Sequence, residues 1–337
     1  MSHSPAILTR PFEGRKAWTA ATIDERDWRV PVSTACREEM LNFVAFMRRH
    51  PLPLLLRRPE HFEMPHTREL MERVRWILEH GALHAVIDRL PVEQMSDPEA
   101  TVLYWILASL LGRPVPQKWD GTMIYEVTDT GAAYEYGVRA SVTSVDITFH
   151  SDNIFSDWPP RYVGLLCLRP ALSGGLSRLL SYPSLYNLLL AEYPQHLPRL
   201  YRPFPFNRQM EHAPDAPRVS YYPVFAYEGR LQVRCYVTLI RRGYAITGEP
   251  IDPETEAALV ALKEATSRPQ LWCEYRLERG QVQFVNNFET GHARTDFVDA
   301  PEPERKRLLI RLWVRDEGPV FFEEPIIDEQ RQPLTVN

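Results

Sequence analysis

Apolar positions in the first third of the chain recur at helical spacing. In "TACREEMLNFVAFMRRH" (residues 34–50), Met40, Phe43, Val44 and Met47 fall on one face, and Pro51 stops the run. "TRELMERVRWILEH" (67–80) carries a second stripe, with Gly81 just past its end. "ALHAVIDRL" (82–90) alternates as a strand does. "SDPEATVLYWILASLLG" (96–112) is the clearest helix: Ser96 or Asp97 caps it, Pro98 fits the first turn and Gly112 ends it. Residues 1–31 read as an irregular polar lead-in anchored by Phe12, Trp18 and Trp28.

From about residue 121 the pattern shortens. "GTMIYEVTD", "ASVTSVDITFH", "RYVGLLCLRPA", "RLLSYP", "LQVRCYV", "LWCEYRLERGQVQFVNNF" and "RLLIRLWVRD" are short β-type segments punctuated by Pro, Gly and Asn. Two helices, "YPSLYNLLLAEYP" and "DPETEAALVALKEAT", interrupt them. The expected fold is mainly β with helices (α+β), a barrel or two-sheet jelly roll. No linker is evident, so residues 1–337 read as a single domain. About 1–120 form a helical lead-in and support, about 121–317 the β core with helical insertions, and 318–337 an extended tail.

Composition narrows the function. Hydrophobic residues make up 44% and charged residues 25%, an ordinary mix for a soluble globular protein. The net charge of −5, without a basic stripe, argues against nucleic-acid binding. No apolar run approaches a membrane span, and "MSHSPAILTRPFEGRK" lacks the apolar stretch of a secretory signal. Four cysteines (Cys36, Cys167, Cys235, Cys273) lie far apart with no C-x-x-C spacing, which speaks against a disulfide framework or zinc-thiolate site. The expectation is a cytoplasmic protein acting on a small molecule, with neither nucleic acid nor membrane as partner. Homo-oligomerisation stays open, since the helical third can cover the β core or form an interface.

The chemistry-bearing residues begin with His150-Ser151-Asp152, in "DITFHSDNIF". On a strand, i and i+2 point to one face, so His150 and Asp152 can converge while Ser151 faces away. Two histidines and a carboxylate with open positions are the ligand set of non-haem Fe(II) oxygenases. H-x-D alone is a weak signal: His61-Phe62-Glu63 has similar spacing, and its polar, proline-flanked setting reads as surface. Three further features add to it. "SGGLS" (173–177) offers glycines for close approach and the Ser177 hydroxyl. "FVNNFETGHARTDF" (284–297) places His292 after a β run and a glycine turn. In "ERKRLLIRLWV" (304–314), Arg307 and Arg311 share a strand face, and inward guanidinium groups call for an anion.

His150-x-Asp152, a Gly-Gly-x-Ser hydroxyl 27 positions on (177 − 150), the distal His292, and Arg307 15 positions beyond it (307 − 292) together resemble the taurine dioxygenase-like (TauD/TfdA) family. The resemblance covers roughly residues 85–317. It implies a double-stranded β-helix (cupin-like jelly roll) and an Fe(II)- and 2-oxoglutarate-dependent oxygenase, with ascorbate helpful in vitro. It implies His150, Asp152 and His292 as catalytic iron ligands. The distal carboxylate of 2-oxoglutarate would meet Arg307 and Ser177. Arg311 matches a second family arginine that lies near the co-substrate or meets an anionic group of the substrate. Here the distal motif is His292-Ala293-Arg294, where the family often has His-Gly-Arg.

Substrate contacts are expected from Asp146, Asn153, Phe155, Asn287, Arg294 and Arg311. Asp146 lies four positions before His150 and would select a cationic amine or brace the pocket. Asn287 lines the pocket or serves a turn, and Arg294 lines the pocket or braces its turn. Tyr134, Tyr136, Tyr221 and Tyr222 form a lid or simply pack. With Asp152 in place the resemblance favours hydroxylation of a C–H bond in an amino acid or related carboxylate, releasing succinate and CO2. Desaturation, cyclisation or C–heteroatom cleavage in a biosynthetic pathway uses the same cofactors. A non-catalytic ligand-binding jelly roll is the remaining alternative.

Overall fold

A computed structural model describes residues 7–133 and 137–322. Two sheets form the β core. The major sheet runs Arg29–Pro31, His84–Asp88, Val282–Asn286, Tyr162–Arg169, Leu308–Arg315, Arg113–Val115, with Tyr125–Val127 also pairing Leu308–Arg315. The minor sheet runs Trp272–Tyr275, Ser177–Ser181, Thr290–Arg294, Ile147–His150, all antiparallel. The strand order departs from chain order throughout, as a double-stranded β-helix requires. Tyr162–Arg169 and Leu308–Arg315, the longest strands, pair at the middle of the major sheet.

The helices Thr34–Arg49, Pro65–His80 and Asp97–Leu111 pack on one another, and the latter two cover the major sheet. Their apolar stripes explain this: Met40, Phe43, Val44 and Met47 are all buried. Ser96, not Asp97, is the cap. Its hydroxyl accepts from Glu99 N–H while the Glu99 carboxylate accepts from Ser96 N–H. One buried hydrophobic cluster joins these helices to the β core.

Two segments depart from the sequence pattern. The lead-in contains a short strand, Arg29–Pro31, parallel to His84–Asp88. In "LQVRCYV" only Leu231–Val233 is strand, and Val237–Thr247 is a helix. Val237, Thr238 and Ile240 favour a strand locally, but Leu239, Ile240, Gly243 and Tyr244 bury one helical face. Gly243 permits it: a Cβ there would lie 2.0 Å from the Pro205 carbonyl oxygen. Of the proposed lid tyrosines, Tyr221 is exposed and Tyr222 half-buried, while Tyr134 and Tyr136 lie outside the described residues, as do 323–337 of the tail. His61 and Glu63 are exposed.

His84 carries a pH consequence. It is fully buried beside Trp18, Trp28 and Tyr275 and donates from Nδ1 to the Ala82 carbonyl at 3.0 Å. Burial depresses its pKa from 6.5 to about 3. The unfolded chain therefore binds a proton below pH 6.5 that the folded protein refuses, so stability falls as pH drops from there. Between pH 7 and 5 this group alone removes about 2 kcal/mol. Denaturant titrations at the two pH values should show a smaller loss in His84→Gln than in the parent; equal losses would refute the assignment.

Candidate active site

His150 closes the edge strand of the minor sheet and lies directly opposite His292. Their rings are 4.3 Å apart, centroid to centroid. The strand ends at His150, so strand alternation is not what aims Asp152. Asp152 sits in the following turn, and Asn287 clamps it there. Asn287 Oδ1 accepts from Asp152 N–H at 2.8 Å, and its Nδ2 donates to the Asp152 and Pro160 carbonyls, each at 3.0 Å. Asn287 is thus spent on backbone and positions a ligand. Ser151 points elsewhere, against the Tyr182 hydroxyl at 2.8 Å.

The three side chains make a coherent donor set. Asp152 Oδ1 lies 3.5 Å from Nε2 of both histidines, and all three ligand atoms fall within 4.8 Å of one another. His150 Nδ1 faces the Thr148 carbonyl at 3.0 Å; it donates there and leaves Nε2 as the lone-pair atom. Burial, and His150 beside it, lower the His292 pKa. Burial alone would raise the Asp152 pKa, but Arg311 and the two histidines hold it well below the carboxylate range. Its other oxygen, Oδ2, accepts from Trp313 Nε1 at 2.7 Å and forms an ion pair with Arg311 Nη1 at 3.1 Å. Two imidazoles and one anchored carboxylate fit Fe(II) and leave coordination positions open.

The two inward arginines have different fates. Arg311 finds its anion within the protein, on Asp152, and Gln117 Oε1 accepts from its Nε at 2.9 Å. Arg307 precedes the strand Leu308–Arg315, is 5% exposed, and its Nη1 has no partner. Burial lowers its pKa to about 10. Ser177 is buried at the start of Ser177–Ser181, in the minor sheet. Gly175, at φ +64°, lets the "SGGLS" turn press close: a Cβ there would meet Arg307 Nε at 3.4 Å. Arg294 is buried too, with its Nη2 on the carbonyls of Thr143 (2.9 Å) and Val145.

Beside the triad lies a cavity of about 70 Å³, lined among others by Arg139, Asn153, Phe155, Tyr236, Arg311 and Trp313. Asn153 adopts φ 54° and is buried with neither amide atom bonded. Asp146 is placed differently from the strand-face reading. Between His292↔His150 and Arg294↔Ile147 the edge strand spends one extra residue, a bulge that reverses its parity. Asp146 is exposed and lines a separate cleft with Arg178, Trp272 and Ala293. Trp313 and Arg139 were not singled out by the sequence. Trp313 could have been: it stands two positions after Arg311, on the same strand face.

A double-stranded β-helix with a His-Asp-His centre and a buried, open arginine defines the Fe(II)- and 2-oxoglutarate-dependent oxygenases. Residues 53–313 match the taurine catabolism dioxygenase TauD, TfdA family, and the chain belongs to it. It is similar to FR-33289 synthase of Streptomyces rubellomurinus, with 28% identity over 323 residues, 93% of this chain and 92% of that protein. It is also 28% identical to the taurine hydroxylase-like protein SAT17 of Stachybotrys chartarum over 233 residues, covering 65% and 57%. Among solved structures it resembles asparagine oxygenase in complex with Fe(II), 3-hydroxyasparagine and succinate (TM-score 0.65, 19% identity, 86% of this chain and 94% of that one). The non-haem iron oxygenase OrfP with Fe and α-ketoglutaric acid is similar at TM-score 0.64 and 15% identity, with the same coverage.

Proposed function

We propose that this enzyme hydroxylates an unactivated C–H bond of a small substrate bearing a carboxylate or related oxyanion, releasing succinate and CO2. The observation that carries this reading is the charge of the cavity wall. Arg311 and Arg139 both line it; Asp152 and Glu211 pair with them, but Arg311 Nη2 is buried without a partner. Among the described residues no carboxylate other than Asp152 lines it. That open donor calls for an acceptor, and a guanidinium suits an oxyanion. An amino acid or related carboxylate meets that demand, in line with the asparagine and arginine products bound by the two structural relatives.

Bound Fe(II), 2-oxoglutarate and O2 supply the oxidising chemistry. The protein's own part is placement. His150, Asp152 and His292 would hold the metal, and Ser177 and Arg307 the distal end of the co-substrate. Arg311 would take the substrate anion while fixing Asp152, which ties substrate position to the metal centre. Phe155 and Tyr236 wall the reaction space from water. Asn153, with its unbonded amide, is the polar group for a neutral part of the substrate. The likeness to a biosynthetic synthase also supports a second reading, in which the same centre desaturates, cyclises or cleaves. Product mass separates the two: hydroxylation adds one oxygen, and desaturation or cyclisation removes two hydrogens.

The test is a screen of amino acids and other small oxyacids for substrate-dependent succinate. No coupling with any oxyacid, alongside coupling with a cationic or neutral compound, refutes the charge assignment. With a substrate in hand, Arg139→Met should raise its KM by about 10-fold and leave that of 2-oxoglutarate unchanged. This reading takes residues 1–337 as one cytosolic domain. No helix among the described residues is long and apolar enough to cross a membrane.

A further inference from the structure

Arg294 and Arg307 form a pair of buried cations that the assigned chemistry uses only by half. Arg294 is 7% exposed and Arg307 5%. Their guanidinium carbons lie 4.7 and 5.0 Å from the centre of one ring, that of Phe297. Arg294 spends Nε on the Thr295 carbonyl at 3.2 Å and Nη2 on the carbonyls of Thr143 and Val145. Its Nη1 is buried with no partner, and so is Arg307 Nη1. Among the described residues no carboxylate hydrogen-bonds to either guanidinium. Asp299 Oδ1 takes the Arg307 backbone N–H at 2.6 Å and makes no bond to its guanidinium. Arg294 is also the cross-strand partner of Ser177 in the minor sheet. It is not among the residues that line the substrate cavity.

Buried guanidinium donors left without a partner are unfavourable. An oxyanion between them satisfies both open Nη1 groups at once, with the Ser177 hydroxyl on the next strand as a third donor. We propose that Arg294 is a second guanidinium for the distal carboxylate of 2-oxoglutarate, closing on it together with Arg307 and Ser177. Its carbonyl bonds then have a purpose: they fix the guanidinium plane so that Nη1 alone faces the ligand. The inference rests on the reading of this protein as a 2-oxoglutarate enzyme.

The test is anaerobic titration of the Fe(II)-loaded protein, following the metal-to-ligand absorption band. Two 2-oxo acids are compared: 2-oxoglutarate, and 2-oxopentanoate, which has the same length but a methyl in place of the distal carboxylate. Arg294→Gln should weaken 2-oxoglutarate by about 10- to 100-fold and leave 2-oxopentanoate within about twofold. Arg294→Lys, which keeps the charge, should recover part of the loss. Fe(II) affinity should not change in either variant. Equal weakening of both acids would make Arg294 a structural brace only and overturn the proposal, as would unchanged 2-oxoglutarate binding. If Arg294→Gln fails to fold, Arg294→Lys with undiminished discrimination between the two acids refutes it equally well. Failure of the parent protein to bind 2-oxoglutarate at all would instead overturn the functional reading.

Discussion

Asp152→Ala should abolish substrate-coupled succinate formation, a loss of at least about 100-fold. The reason lies in the geometry of one carboxylate. Oδ1 faces both imidazole Nε2 atoms at 3.5 Å, while Oδ2 is tied to Trp313 and Arg311. Alanine removes the one carboxylate of the triad and leaves two imidazoles, which would hold a divalent metal weakly. It also strands Arg311 in the interior, and breaking a buried pair in this way costs about 3–5 kcal/mol. Loss of activity must therefore be separated from loss of fold. Bound iron after anaerobic loading and the thermal unfolding midpoint, measured on the same sample, do this. A folded Asp152→Ala protein that still makes succinate at the parent rate would remove Asp152 from the metal centre. His150→Ala should behave likewise without stranding a charge, and so serves as the cleaner control on stability.

Trp313→Phe should lower iron affinity by about 10- to 100-fold while leaving the fold intact. Trp313 lies on the major sheet, 2% exposed, and donates from Nε1 to Asp152 Oδ2 at 2.7 Å. Its ring stacks on Phe322, with centroids 6.2 Å apart and 20° between planes. Phenylalanine keeps an aromatic ring for that stack and deletes the donor. Arg311 then holds Oδ2 alone, and the carboxylate gains freedom to rotate Oδ1 away from the two imidazoles. The effect should appear in the Fe(II) titration before it appears in turnover at saturating iron. If the Fe(II) affinity of Trp313→Phe equals that of the parent, Trp313 packs against the centre without orienting it.

The two predictions differ in how they could be reached. Asp152 is legible from its spacing to His150 and from the downstream Ser177, His292 and Arg307. Trp313 is not, because a tryptophan in "LLIRLWV" reads as core. Only the facing sheets bring its indole N–H to a carboxylate 161 residues away in the chain. Arg139 is a similar case: it reaches the cavity from a segment without regular periodicity, and buried Glu211 holds it there at 2.6 Å. The helix Val237–Thr247 was hidden for a local reason. Its β-branched residues carry a strand propensity that packing against Phe204–Asn207 overrides.

What the sequence determined by itself is the inventory and its order: the amphipathic helices of the first third, the run of short strands, and a His-x-Asp, Ser, His, Arg series. Each rests on covalent spacing and side-chain chemistry, which no folding step alters. What the tertiary structure decided is which atoms face one another. A single extra residue in the edge strand moved Asp146 to another cleft, because side chains alternate along a strand and one insertion reverses the count. Asn287 became a clamp on Asp152, and Arg311 found its anion inside the protein. Such outcomes depend on register and on contacts between residues far apart in the chain, and local pattern carries no information about either.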